Sequence, residues 1–199
     1  MKFKNITTGK IILAVITIIY TLIFAFLYLQ KENYEFMGYV GVMILAIVLI
    51  AYLNSKYNFS LGSLIGMSIW GLMHMAGGYF IIGDGVLYGY LIFPFLRFDQ
   101  FVHAWGFGFA TLISYYVIKP SFNPKDSLKL SVFLVFIGMG LGALNEIVEF
   151  IAVLSLPQTG VGGYENTMKD IVFNTFGAII AVSYIKLKNK YFDKNNKRR

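Results

Sequence analysis

Asp99 and His103 are the first candidates for catalysis or metal binding. They lie in a stretch (residues 99–106) that is otherwise largely apolar. Because they lie four residues apart, a helix places both side chains on one face, within reach of each other. An acid and an imidazole in a hydrophobic helix of membrane length are costly and need polar partners. Elsewhere in the chain, the sequence offers as partners His74, Glu146, Glu149, Asp170 and Asn174.

The types of these side chains predict the chemistry that they support. Glu146 and Glu149 lie three residues apart, so a helix places both carboxylates on one side. Carboxylate oxygens and imidazole nitrogens together form ligand sets that suit Zn, Mn or Fe. The candidate metal ligands are His74, Asp99, His103, Glu146 and Asp170. Glu149 is the candidate general base, Asp99 and His103 are the other catalytic candidates, and Asn145 and Asn174 complete the polar set.

Two other interpretations of the same side chains stay open. They can form a proton relay or a path for cations, or they can be a buried hydrogen-bonded network that only fastens the helices. An unpaired charge at the bilayer centre costs ~2.5–3.5 kcal/mol on insertion scales. The acids must therefore be paired, neutralised by a metal or open to water, and a divalent metal is the one cofactor that the sequence suggests.

Further polar residues are expected near the edge of this site. Arg97 and Lys169 precede the two aspartates closely, where they can contact a phosphate or anchor the chain among lipid headgroups. A glycine-rich loop predicted over residues 156–167 carries Glu165 and Asn166, which we expect above the site.

The composition predicts the class of protein. Of the 199 residues, 57% are hydrophobic and 14% are charged, against roughly 25% charged in soluble domains. Together with a mean hydropathy of +0.66, this indicates an integral membrane protein that contacts membrane lipids. The absence of cysteine excludes disulfides, thiolate metal ligands and cysteine nucleophiles. The net charge of +7 reflects membrane anchoring, and we predict no nucleic-acid partner.

The predicted fold is all-α, a single transmembrane domain over residues 1–199 with a basic cytoplasmic tail over 188–199. Residues 11–29 are too long for the apolar region of a signal peptide and predict a retained first helix. The aromatic segment 83–96 is expected to lie in the interface or to dip into the membrane. The six predicted transmembrane helices are about 11–29, 36–53, 61–82, 98–118, 128–154 and 169–187.

The basic residues predict the orientation. If the N-terminus is cytoplasmic, fourteen lysines and arginines lie on the cytoplasmic side and three on the other side. Because cytoplasmic loops carry the excess of positive charge, we expect a multi-pass protein of the bacterial cytoplasmic (inner) membrane, with both termini in the cytoplasm.

Helices three and four can be aligned with helices five and six as a parallel hairpin repeat. At an offset of 72 residues, Ile65-Gly-Met falls on Ile137-Gly-Met. At an offset of 71, Asp99 falls on Asp170 and His103 on Asn174. Parallel repeats would bring the two polar clusters face to face. At 1.5 Å per residue, all of these polar groups are expected in roughly the outer third of the membrane.

The same motifs carry a family resemblance. They are His74-Met-Ala-Gly-Gly, Asp99-x3-His103-x2-Gly, Asn145-Glu146-x2-Glu149 and Gly163-Tyr-Glu-Asn-Thr-Met-Lys-Asp170-x3-Asn174-x2-Gly177. Over residues 70–181 they resemble the YjdF-like inner-membrane proteins, a bacterial family without an established activity. More remotely, they resemble VanZ-like proteins, which are linked to glycopeptide tolerance. Because Phe150 follows Glu149 where VanZ-like proteins tend to show Glu-x2-Gln, that activity is not carried over.

Three functions are therefore weighed. The first is a metal-assisted enzyme acting on a lipid or lipid-linked envelope molecule, since a chain without a large soluble domain suits a substrate that arrives laterally. The second is an ion-coupled transporter or channel, which paired membrane carboxylates in parallel repeats favour. The third is a non-catalytic envelope protein that binds a partner.

Overall fold

The computed structural model describes residues 6–123 and 125–196, and confirms an all-α membrane protein. In the described residues, five helices are long and apolar enough to cross a membrane; α3, with 19 residues and several glycines and serines, is not among them. Lys2, Lys4 and the last three tail residues lie outside the description. The helices are α1 (Thr8–Gln30), α2 (Tyr34–Tyr57), α3 (Leu61–Tyr79), α4 (Phe98–Ile118), α5 (Ser127–Ser155) and α6 (Tyr164–Asn196).

The start of α6 corrects the predicted loop. We predicted a helix from residue 169, whereas α6 begins at Tyr164, directly after a pair of glycines. The Gly163 carbonyl accepts hydrogen bonds from the Asn166 amide at 2.9 Å and from the Thr167 amide at 3.2 Å, which closes the first helical turn. Glu165 and Asn166 therefore belong to the helix, where an acid in the first turn complements the helix dipole.

The segment between α3 and α4 forms two small hairpins. Strands β1 (Ile81–Ile82) and β2 (Gly85–Val86) pair antiparallel, and so do β3 (Leu91–Phe93) and β4 (Leu96–Arg97). Gly83 turns the first hairpin with a φ of 62°, a conformation that glycine adopts without steric cost. The third helix thus ends at Tyr79, three residues before the predicted end.

The α4–α6 contact is the most extensive between helices, and small residues make it close. A Cβ atom placed on Gly177 would collide with the backbone carbonyl of Ala104, and one on Gly108 would lie 3.1 Å from the Gly177 oxygen. Such close approach of two backbones is typical of membrane helices, where association depends on packing. The contact fixes the first part of α4 against α6 at the level of the polar residues.

Helices α1 and α2 pack outside this pair. Helix α1 contacts α2 and α3, and an aromatic cluster including Tyr28, Phe36 and Tyr39 packs against Met75 of α3. Glu35 at the start of α2 accepts a hydrogen bond of 2.6 Å from the Gly160 amide. This bond ties the α5–α6 loop to α2, at the end of the bundle where the polar residues lie.

Candidate functional site

The polar residues gather at one end of the bundle, where α3 and α5 end and α4 and α6 begin. At 1.5 Å per residue, His103 lies roughly 8 Å and Asp170 roughly 9 Å along their helices from this end, and Glu146 lies roughly 14 Å from the end of α5. Side chains from three helices can therefore meet at a similar depth.

His103 is the centre of the cluster and is only 6% exposed. Its Nδ1 atom lies 2.9 Å from Oδ1 of Asn174, within hydrogen-bond distance. On the other side of the ring, Nε2 lies 3.5 Å from Oδ1 of Asp99. Nδ1 is also 3.6 Å from Oε1 of Glu146. The imidazole thus lies between carboxylates on both sides, and Asn174 holds one of its nitrogens.

Asp99 and Asp170 are joined by an amide. Asn166 donates to Oδ2 of Asp170 at 2.6 Å and to Oδ2 of Asp99 at 3.2 Å. Asn166 was not among the residues of our predicted site, because the sequence placed it in a loop above that site. The signal was its spacing of four residues from Asp170, which places both side chains on one helix face once α6 begins at Tyr164.

Two groups of potential ligand atoms share His103. One group comprises Asp99, His103 and Asp170, and the other comprises His103, Glu146 and Glu149. Within each group, one ligand atom per residue lies within 4.8 Å of the others. Asn145 donates to Oε1 of Glu149 at 2.9 Å, so both predicted asparagines contact members of the cluster.

Several buried atoms of this cluster lack a hydrogen-bond partner. They are both carboxylate oxygens of Glu146, Oδ1 of Asp170 and Nδ2 of Asn174. Asp170 and Asn174 are completely buried. A buried carboxylate without a partner carries a desolvation cost that a bound cation or a proton would offset. The oxygens and imidazole nitrogens present here are ligand types that divalent transition metals accept.

His74 lies outside both ligand groups, although we predicted it as a metal ligand. The Tyr88 hydroxyl contacts its Nδ1 atom and lies 3.0 Å from its backbone carbonyl. Trp70 stacks on the imidazole with ring centroids 5.8 Å apart, and Tyr39 packs edge-on at 5.5 Å. Burial raises the pKa of Tyr88 well above its usual value, so this hydroxyl keeps its proton. The imidazole of His74 therefore has a polar partner in the Tyr88 hydroxyl and is packed among aromatic rings.

Two other predicted residues lie at the edge of the cluster. The Glu165 side chain is 84% exposed and forms an ion pair of 2.6 Å with Lys169. Arg97 is exposed at the start of α4, where its backbone amide donates to Gln100 at 2.7 Å. The structure therefore does not bring Glu165 or Arg97 into contact with His103.

Fold and cluster together define a helical integral membrane protein with a buried acid-histidine site. The chain matches, over residues 12–190, the model of a family described as "Predicted membrane protein (DUF2238)", and it belongs to this family. Comparison with curated proteins and with solved structures found no match.

Proposed function

We propose that this cluster binds a divalent transition metal and that the protein is a metal-assisted enzyme acting on a lipid or lipid-linked envelope molecule. The observation that carries the metal proposal is the set of buried carboxylate oxygens without hydrogen-bond partners around His103. Several like charges at this depth repel one another unless a cation or protons balance them.

The hydrogen bond to Asn174 selects the ligating nitrogen of His103. When Nδ1 donates its proton to the Asn174 oxygen, Nε2 carries the free lone pair and faces Asp99. Metal-bound histidines usually donate their other ring N–H to such a partner, which fixes the tautomer and the ring orientation. We therefore assign Asp99, Nε2 of His103 and Asp170 as the primary ligands, with Zn, Mn and Fe as the candidate metals.

Glu146 and Glu149 form the second half of the site. Asn145 orients the Glu149 carboxylate, which we assign as the general base that accepts a proton from an attacking water. Glu146 faces the Nδ1 side of His103, where it can balance positive charge on the ring. A metal bound by Asp99, His103 and Asp170 would lower the pKa of its bound water and polarise an ester or phosphoryl oxygen of the substrate.

The remaining predictions about topology belong to this proposal. Helix α3 has 19 residues, or about 28 Å, which is close to the hydrocarbon thickness and supports six crossings. His103 contacts Asn174, 71 residues later, and one amide joins Asp99 to Asp170, which supports a duplicated hairpin. We further propose a YjdF-like protein of the bacterial inner membrane with cytoplasmic termini, whose site then opens to the extracytoplasmic side.

Metal analysis of the purified protein tests the proposal. After equilibration with Zn, Mn or Fe and removal of free metal, we expect the native chain to retain about one metal ion per chain. The double variant D99N/D170N keeps the shape of both side chains and should retain less than about a tenth of that amount. The matched control D84N/E165Q removes two acids outside the cluster and should retain it. A native chain that holds no more metal than D99N/D170N would refute the metal site.

Activity is tested separately on lipids. Vesicles made from bacterial envelope lipid extracts are incubated with the metal-loaded native chain or with E149Q, and their lipids are compared by mass spectrometry. We expect a product with the native chain and a loss of at least about a hundredfold in rate with E149Q, in line with the usual contribution of a general base. Metal binding without any lipid product would support the metal site and refute the proposed enzymatic activity.

Carboxylates that face each other across a duplicated hairpin favour an ion-coupled carrier as the second candidate. This arrangement can move protons between Asp170, His103 and Glu146 without a bound metal. Proton flux into liposomes that D170N or E146Q abolishes would favour the carrier, and flux equal to that of protein-free liposomes would exclude proton coupling.

A further inference from the structure

A long groove lies on the face of the α4–α6 pair that points away from His103. Its floor consists of small residues such as Gly108 and Ala181, and its banks carry Trp105 and Phe176. We call it the α4–α6 groove. Its volume is about 800 Å³, larger than the cavity of about 450 Å³ among α1, α2 and α3. The close backbone approach of the two helices leaves this depression between two rows of aromatic side chains.

The two ends of the groove differ in charge. Lys119 and Lys188 lie at the end opposite the polar site, and no acidic side chain is among the described residues that line the groove. Each ammonium lies over a tyrosine ring, at 5.2 Å for Lys119 over Tyr115 and at 5.8 Å for Lys188 over Tyr184. The remaining length is lined mainly by apolar and aromatic side chains, so the groove combines a long apolar channel with a cationic end.

We infer that the groove binds an anionic phospholipid, with its phosphate at Lys119 and Lys188 and an acyl chain along the aromatic banks. Along α4 the groove runs from Phe101 to Tyr116, which is roughly 22 Å at 1.5 Å per residue. The groove offers about 800 Å³ along this length, so a hydrocarbon chain fits it, and the two lysines at its end complement the negative charge of a lipid phosphate.

The cationic end gives the site its expected lipid preference. A lysine near an anionic headgroup contributes about fivefold to binding, and hydrocarbon chains of neutral and anionic lipids fill the channel equally well. Lys119 and Lys188 together should therefore favour an anionic over a zwitterionic lipid by roughly 25-fold. This inference does not depend on the metal proposal, because the two sites lie on opposite sides of the α4–α6 contact.

Tryptophan quenching tests the inference directly. The chain has two tryptophans, and Trp105 lines the groove whereas Trp70 does not, so a W70F protein reports from Trp105 alone. The protein is placed in vesicles with phosphatidylglycerol or phosphatidylcholine brominated on the acyl chain, at equal amounts. We expect brominated phosphatidylglycerol to compete for the groove roughly 25-fold better than brominated phosphatidylcholine.

Two charge-removing double variants then separate the groove from general surface charge. K119Q/K188Q should reduce the preference to near one, because the phosphate loses both partners. K56Q/K125Q is the matched control, since Lys56 also lies over a tyrosine ring, at 4.4 Å, but neither lysine lines the groove. Should K119Q/K188Q retain the preference, or K56Q/K125Q lose it equally, the site would be refuted. Equal quenching by both lipids in the W70F protein, or protection of Trp105 by a second copy of the protein, would also refute it.

Discussion

The two histidines of this chain occupy pockets of opposite character at the same end of the bundle. His74 lies among aromatic rings, and the Tyr88 hydroxyl contacts its Nδ1 atom. His103 lies among carboxylates, several of whose oxygens have no hydrogen-bond partner. The pocket of His74 is fully packed with aromatic side chains, whereas the pocket of His103 leaves the negative charge of its carboxylates uncompensated.

This difference shows that a buried histidine in a membrane helix is not by itself a sign of a site. What distinguishes His103 is that a carboxylate lies near each of its ring nitrogens and that buried carboxylate oxygens of Glu146 and Asp170 in the same cluster have no hydrogen-bond partner. We therefore interpret the pocket of His74 as structural support for the end of α3 and the pocket of His103 as the reacting centre. The comparison makes three predictions, given in order of decreasing effect.

Removing each imidazole in turn should affect different properties, metal retention for His103 and stability for His74. H103A should lower metal retention to below about a tenth of the native value, because the only nitrogen ligand and the bridge between the two acid pairs are lost. H74A should leave metal retention unchanged but lower the free energy of unfolding by roughly 2 kcal/mol, since it opens a cavity among aromatic rings. Metal analysis and denaturation of both variants in the same detergent measure the two effects.

One result would contradict the distinction between the two histidine pockets. If H74A loses as much metal as H103A while circular dichroism shows both folded, His74 is a ligand in the metal-loaded protein and the distinction between the pockets is wrong. H103Q, which keeps a polar side chain of similar size, serves as a second variant where H103A does not fold.

The second prediction concerns the residue that orients His103. N174A removes the partner of Nδ1 but no ligand, so the metal should still bind, with an affinity roughly 10–100-fold weaker. Competition with a chelator of known affinity measures the change. N145A is the control, because it removes an amide that contacts Glu149 and leaves the ring of His103 untouched. An affinity unchanged in N174A would show that the hydrogen bond does not position the ring.

Helix bounds were predictable where the sequence changes character abruptly. Helix α4 was predicted over residues 98–118 and is observed as Phe98–Ile118, since Arg97 precedes an apolar run and Pro120 follows it. The start of α6 was missed because residues 160–166 combine glycines with polar side chains, a composition typical of loops. In the structure the glycines end the loop and the polar residues form the first helical turn.

The cluster around His103 was predictable for a different reason. Charged side chains are rare in a chain of this hydropathy, so acids and imidazoles at similar depth on neighbouring helices were expected to meet. The pocket of His74 was not predictable in this way. Its partner Tyr88 comes from a connection of two hairpins, and neither helical period nor depth places such a segment over a particular residue.

The smallest predicted effect tests this aromatic pocket through Tyr88. Since burial raises the pKa of Tyr88 above its usual value of 10.0, the folded chain keeps the phenol proton at pH values where the unfolded chain has lost it. The free energy of unfolding contributed by Tyr88 is therefore fully present below pH 10 and declines above it by up to about 1.4 kcal/mol per pH unit. Y88F lacks this titration, and below pH 10 it should be less stable than the native chain by about 1 kcal/mol, because the hydroxyl contact with His74 is lost.

Unfolding of both chains between about pH 8 and pH 11 measures the difference, which should shrink as the pH rises above 10. Y90F, which removes an exposed hydroxyl two residues away, should follow the native chain throughout. A constant difference between Y88F and the native chain across this range would mean that the Tyr88 hydroxyl ionises as easily in the folded protein as in the unfolded one. The aromatic pocket of His74 would then be open to water, and it could no longer be contrasted with the pocket of His103 as a closed structural unit.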